Sequence, residues 1–205
     1  FLSVDSASII ISGEAGVGKT TFLKKIVEQI DQEEVFYLPY VCHYAEKDFY
    51  LKSWHNLLRK MELLLDKHLG TNMLQTESSQ ALSGGMNPST HDFSEMVNDG
   101  RVDVNVMAVH DALVKLTDQK KVVMVIDDIQ WLDSASLNLL NMLLFSFGKG
   151  KLLIIAAHRE DYQEVLNPFI ITLEKENLIK RMYLNRFTFD EVSQLYELNM
   201  LLIKS

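Results

Sequence analysis

Apolar residues along this chain follow two rhythms. Mainly apolar stretches over residues 7–12, 34–41, 121–127 and 151–157 read as buried strands, and residues 182–184 as a short fifth. Between them, apolar residues recur every three or four positions. Phe22, Ile26 and Ile30 mark one helix over residues 21–30. Trp54, Leu57, Leu58, Met61, Leu64 and Leu65 mark a second, whose stripe is expected to pack on the sheet. Val106, Val109, Leu113 and Leu116 mark a third, over residues 105–117. Residues 134–147 and 161–174 read as two more, the second broken or bent by Pro168. Pro39 should end the second strand or place it at a sheet edge. Gly148-Lys149-Gly150 reads as a turn, and Asp133 or Ser134 as an N-cap. Thr188 with Glu191 three positions on reads as a capping box opening a last helix.

Strands alternating with helices predict an α/β fold: a doubly wound, parallel, five-stranded sheet with helices on both faces. Ligands of such sheets sit at the carboxyl ends of the strands. Apolar periodicity disappears over residues 70–100, which are rich in Ser, Thr, Asn, Gly and Gln and are expected to form a mobile surface insert.

The first strand runs directly into Gly13-Glu14-Ala15-Gly16-Val17-Gly18-Lys19-Thr20, which fits the phosphate-loop pattern G-x-x-x-x-G-K-[ST] at every fixed position. Glycines let the backbone turn and bring its N–H groups to phosphates, and the following helix adds its positive dipole end. Lys19 should reach the β- and γ-phosphates, the Thr20 hydroxyl should ligate Mg2+, and Thr21 completes the contacting segment. The implied ligand is ATP with Mg2+. The strand over 121–127 ends in Asp127-Asp128. Asp127 is expected to support the metal, and Asp128 to orient the attacking water, since a plain Asp is a weak base at neutral pH. Arg159 follows the fourth strand and suits γ-phosphate sensing by its forked donors, or a structural ion pair with a nearby acid.

Composition narrows the picture. The 205 residues are 47% hydrophobic and 23% charged, enough for a sizeable core. A net charge of −8 argues against DNA or RNA contact by this piece itself. Cys42 is the only cysteine, which excludes an internal disulfide and favours a reducing, cytoplasmic setting. No apolar run suits a membrane span, and no histidine cluster suits zinc. Leu82-Ser83-Gly84-Gly85 is like the start of a transporter-ATPase signature, but Pro88 follows closely and Asp127 lies far along the chain. The lack of an Asn-Lys-x-Asp motif leans towards ATP over GTP. The chain starts at Phe1 with the loop close behind, and its last residues stop inside an apolar helical pattern, as expected of a piece of a longer protein.

The phosphate loop followed by Asp127-Asp128-Ile129-Gln130-Trp131-Leu132-Asp133-Ser134-Ala135-Ser136 resembles the STAND branch of AAA+-related ATPases. It is most similar to the ATPase module of large LuxR-type (maltose-activator-like) transcription regulators. Residues 153–160 resemble that family's sensor strand, with Arg159 at the sensor position. Residues 183–192 resemble the passage from sheet to helical lid, with Arg186 where the family often has a base-contacting Pro. The resemblance implies an ATPase domain over 1–187, the start of a lid over 188–205, and a slow ATP-hydrolysing signalling switch. It also implies self-association in the full-length protein and DNA contact only through other domains. Two other readings compete: a scaffold that holds nucleotide without turnover, and an initiator-like DNA-processing ATPase.

Overall fold

The computed structural model describes residues 7–31, 33–69 and 101–194. In chain order the elements are β1 (Ser8–Gly13), α1 (Lys19–Glu28), β2 (Val35–Val41), α2 (Lys52–Leu69), α3 (Arg101–Thr117), β3 (Lys121–Asp127), α4 (Ser134–Lys151), β4 (Leu152–Arg159), α5 (Gln163–Lys175) and β5 (Ile179–Tyr183). The expected insert over 70–100 and its Leu82–Gly85 motif lie outside the described residues, as does most of the expected lid.

All strands pair in parallel in one five-stranded sheet of order β2-β3-β4-β1-β5. β1, β3 and β4 are central, which is why their sequences are continuous apolar runs. The helices cover the two faces unequally. Among the described residues, α1 is the helix on one face, packing Leu23 against Ile11, Val123, Val125, Ile155 and Ala157. α2 to α5 bury Trp54, Leu57, Met61, Leu113, Leu116, Leu140, Leu143, Ile170 and Leu173 on the opposite face. Trp54 is 1% exposed, and its indole N–H donates to the Ser136 carbonyl 3.0 Å away, tying α2 to α4. The α2 stripe is therefore core.

Several boundaries differ from expectation. β2 is an edge strand, so the missing N–H of Pro39 costs nothing within its ladder. α4 does not stop at Gly148; it runs to Lys151, and the reversal is compressed onto Gly150, whose φ of 100° only glycine adopts freely. α5 runs through Pro168 unbroken, held by burial of Leu166, Ile170 and Leu173. β5 begins three residues earlier than residues 182–184, at Ile179. As the other edge strand it tolerates Lys180 and Arg181, and Glu174 of α5 meets the Arg181 guanidinium at 2.8 Å. Asp133, not Ser134, caps α4, accepting the Ser136 backbone N–H at 3.0 Å. The capping box is present: the Thr188 N–H and hydroxyl donate to Glu191 at 2.7 and 2.9 Å, and the Glu191 N–H donates back to Thr188 at 3.3 Å.

Candidate functional site at the carboxyl ends of the strands

The loop between β1 and α1 turns on two glycines in the left-handed region, Gly16 at φ 78° and Gly18 at φ 104°. A Cβ added at either would meet nothing within 4 Å, so the demand for glycine there is conformational and the space beside the loop is open. Gly18 caps α1 with no side-chain hydrogen bond, and no acid lies in the helix's first turn. The helix therefore starts with N–H groups that no side chain satisfies and a dipole that no carboxylate neutralises, an arrangement suited to an anion. Glu14, Ala15, Gly16, Thr20 and Thr21 are exposed around this opening, with Val17 and Gly18 half-buried. The Val17 N–H donates to the Glu14 carbonyl at 3.3 Å.

Lys19 is buried against the loop, its Nζ donating to the carbonyls of Gly13 at 2.8 Å and Glu14 at 2.7 Å. Burial pulls its pKa below the ordinary lysine value, and the nearby Asp128 carboxylate opposes that loss. Thr20 Oγ1 donates to Asp127 Oδ2 at 2.5 Å, across 107 positions of sequence. The other Asp127 oxygen accepts the Asp128 backbone N–H at 3.0 Å. A hydroxyl and a carboxylate oxygen brought together beside a phosphate loop form the hard oxygen set that Mg2+ takes in combination with phosphates and water. Among the described residues no three His, Cys, Asp or Glu cluster as a self-sufficient metal site.

Asp128 adopts φ 58°, unusual for a residue with a side chain, and opens a 3-10 turn over Ile129–Trp131. Its Oδ1 lies 3.7 Å from Arg159 Nε. The two expectations for Arg159 thus meet: it has an ion-pair partner, and that partner is the site's own acid. Sequence patterning gave Gln130 no role. In the structure its Nε2 donates to Asp128 Oδ1 at 2.7 Å, and its Oε1 accepts the Arg159 N–H at 3.3 Å. Nor did the sequence show that Arg186 Nη2 reaches Glu14 Oε2 at 2.6 Å, laying the segment after β5 across the phosphate loop. Both side chains are well exposed, so this pair adds little stability.

Behind the loop, Ser12 and His158 face each other across β1 and β4, both fully buried. Burial lowers the His158 pKa, and its Nδ1 sits 3.0 Å from the Arg159 carbonyl. Neither Ser12 Oγ nor His158 Nε2 has a hydrogen-bond partner among the described residues.

A family model described as an AAA ATPase domain matches residues 3–155. The chain belongs to that AAA ATPase domain family. Solved structures agree at the level of fold. A Walker-type ATPase of Pyrococcus abyssi matches with a TM-score of 0.55 and 13% identity over 96% of this chain and 54% of its own. The Aeropyrum pernix ORC2 protein, in ADPNP–ADP complexes, matches with a TM-score of 0.53 and 14% identity over 95% and 46%. The Aeropyrum pernix ORC1 protein, in complex with DNA, gives 0.50 and 14% over 93% and 42%. The chain thus spans about half the length of these proteins. No sequence match to a curated protein is found. This AAA+-type ATPase domain has no helix, among the described residues, long and apolar enough to cross a membrane.

Proposed function

We propose that this chain is the ATP-binding, slowly hydrolysing switch module of a larger signalling regulator, as its resemblance to LuxR-type regulators implies. The observation that carries the reading is the 2.5 Å contact between Thr20 and Asp127, which joins the phosphate loop to the acidic strand beside a buried Lys19. In this reading the backbone N–H groups from Gly13 to Thr21 hold the phosphates. Lys19 exchanges its two loop carbonyls for phosphate oxygens. Thr20 and Asp127 hold Mg2+, which when bound offsets charge on the phosphates. Asp128 orients water, and Arg159 answers the γ-phosphate. Residues 1–187 would form the ATPase domain and 188–205 open its lid.

No arginine finger is assigned within the chain, and such a group is typically worth about 10³–10⁵ in rate, so turnover by the isolated chain should be very slow. Self-association would supply what is missing. Likeness to the ORC proteins is one of fold. With a net charge of −8, DNA contact is better given to other segments of the full-length protein. Asp128→Asn tests the reading against a nucleotide-holding scaffold. The switch predicts retained ATP binding with turnover reduced about 100-fold. Unchanged turnover would remove Asp128 from the chemistry and favour the scaffold.

A further inference from the structure

We infer that Gln130 is a positioning residue that ties the Asp128 carboxylate to the main chain at the end of β4, holding the acid beside the Arg159 guanidinium. The inference rests on the ATPase reading of the site but concerns a residue to which that reading gives no part. The amide is used at both ends in one orientation: its donor end meets Asp128 at 2.7 Å and its acceptor end takes the Arg159 backbone N–H at 3.3 Å. Arg159 Nε, 3.7 Å from the same Asp128 oxygen, closes a three-residue ring spanning the ends of β3 and β4.

The turn carrying Gln130 is pinned on both sides. Ile129 is fully buried. The Trp131 ring stands edge-on between Tyr44 and Tyr162, each centroid 4.8 Å away, so it is gripped from the segments following β2 and β4. The Trp131 N–H donates to the Asp128 carbonyl at 3.0 Å, and the left-handed backbone of Asp128 turns its side chain back towards residue 130. The backbone of Gln130 is therefore a fixed anchor, and what can move is the arginine at the end of β4. A guanidinium drawn towards a γ-phosphate would leave the ring, while Gln130, bonded to the Arg159 main chain, would keep Asp128 in place.

Only an amide of this length performs both tasks. Methionine fills the same volume with no polar contact, and glutamate keeps the acceptor while placing a second carboxylate against Asp128. Both variants should keep the wild-type melting temperature within a few degrees, since Gln130 is only half-buried. Turnover at saturating MgATP should fall about tenfold in Gln130→Met, as for loss of a hydrogen bond to a charged group, with KM changed less than about twofold. Gln130→Glu should fall at least as far. A Gln130→Met enzyme with normal kcat, or one in which kcat, affinity and melting temperature fall together, would overturn the proposal, because filling space or general stability would then be the whole role. If the wild type binds MgATP but turns none over, the hydrolytic reading fails by itself. The ring is then judged by the ratio of ATP to ADP affinity, which should shift about threefold or more in Gln130→Met. An unchanged ratio overturns it.

Discussion

Gly13 is the point where the segment after β5 presses on the phosphate loop, and Gly13→Ala measures that contact. An added Cβ would sit 2.6 Å from the Leu184 carbonyl oxygen and 3.0 Å from Val17 Cγ1. The valine methyl can rotate away. Leu184 cannot easily retreat, because it is backbone and its N–H is held by the Ser12 carbonyl at 2.8 Å. Strained insertion of one carbon into a packed site costs about 1–3 kcal/mol. At about 2–4 °C per kcal/mol for a domain of this size, the melting temperature should fall by about 2–12 °C. The Gly13 carbonyl also receives Lys19 Nζ, so nucleotide affinity should weaken with it. Gly16→Ala is the control. It meets no atom within 4 Å and is penalised by about 1–2 kcal/mol through its φ of 78° alone. Urea unfolding of the three proteins, read by tryptophan fluorescence, compares them. A Gly13→Ala midpoint equivalent to less than about 0.5 kcal/mol of lost stability would refute the claimed seating of residues 184–186 on the loop.

The remaining predictions concern His158 and Asp128. Burial holds the folded His158 pKa below its ordinary value, with the cations Arg181 and Lys19 adding to the effect and the Arg159 carbonyl opposing it. The unfolded chain therefore takes up a proton that the folded chain refuses. Stability from this group is full above about pH 6.5 and is lost as pH falls towards the folded pKa, by up to about 1.4 kcal/mol per pH unit. The urea midpoint of wild type relative to His158→Leu should fall as pH drops from about pH 7 to pH 5.5; parallel curves would show that the folded chain takes up this proton as readily as the unfolded one. In Asp128→Asn, a phosphate-release assay should show turnover reduced about 100-fold while calorimetry shows an ATP affinity within about threefold of wild type.

The parts of the molecule legible in the sequence are those fixed by burial on both sides. The central strands β1, β3 and β4 are continuous apolar runs because they have neighbours on both edges and helices on both faces. Edge strands obey weaker rules: β5 starts at Ile179, ahead of its apolar pattern, because Lys180 and Arg181 interrupt that pattern and the arginine finds its partner on α5. The phosphate loop could be read because its chemistry demands particular residues in succession. Gln130 and the Arg186–Glu14 pair could not. Their meaning depends on which loops the strand order brings together, and a fixed spacing carries no trace of that.

The most direct test of the central claim is calorimetric titration of wild type and Lys19→Ala with ATP and ADP in the presence of Mg2+. Lys19 is the one buried cation of the phosphate loop, held by the two loop carbonyls it would leave on binding. The account predicts measurable binding of both nucleotides by the wild type, and a loss of at least about tenfold in affinity for ATP in Lys19→Ala. Equal affinity in the two proteins would contradict it, because the phosphates would then lie somewhere other than the loop between β1 and α1.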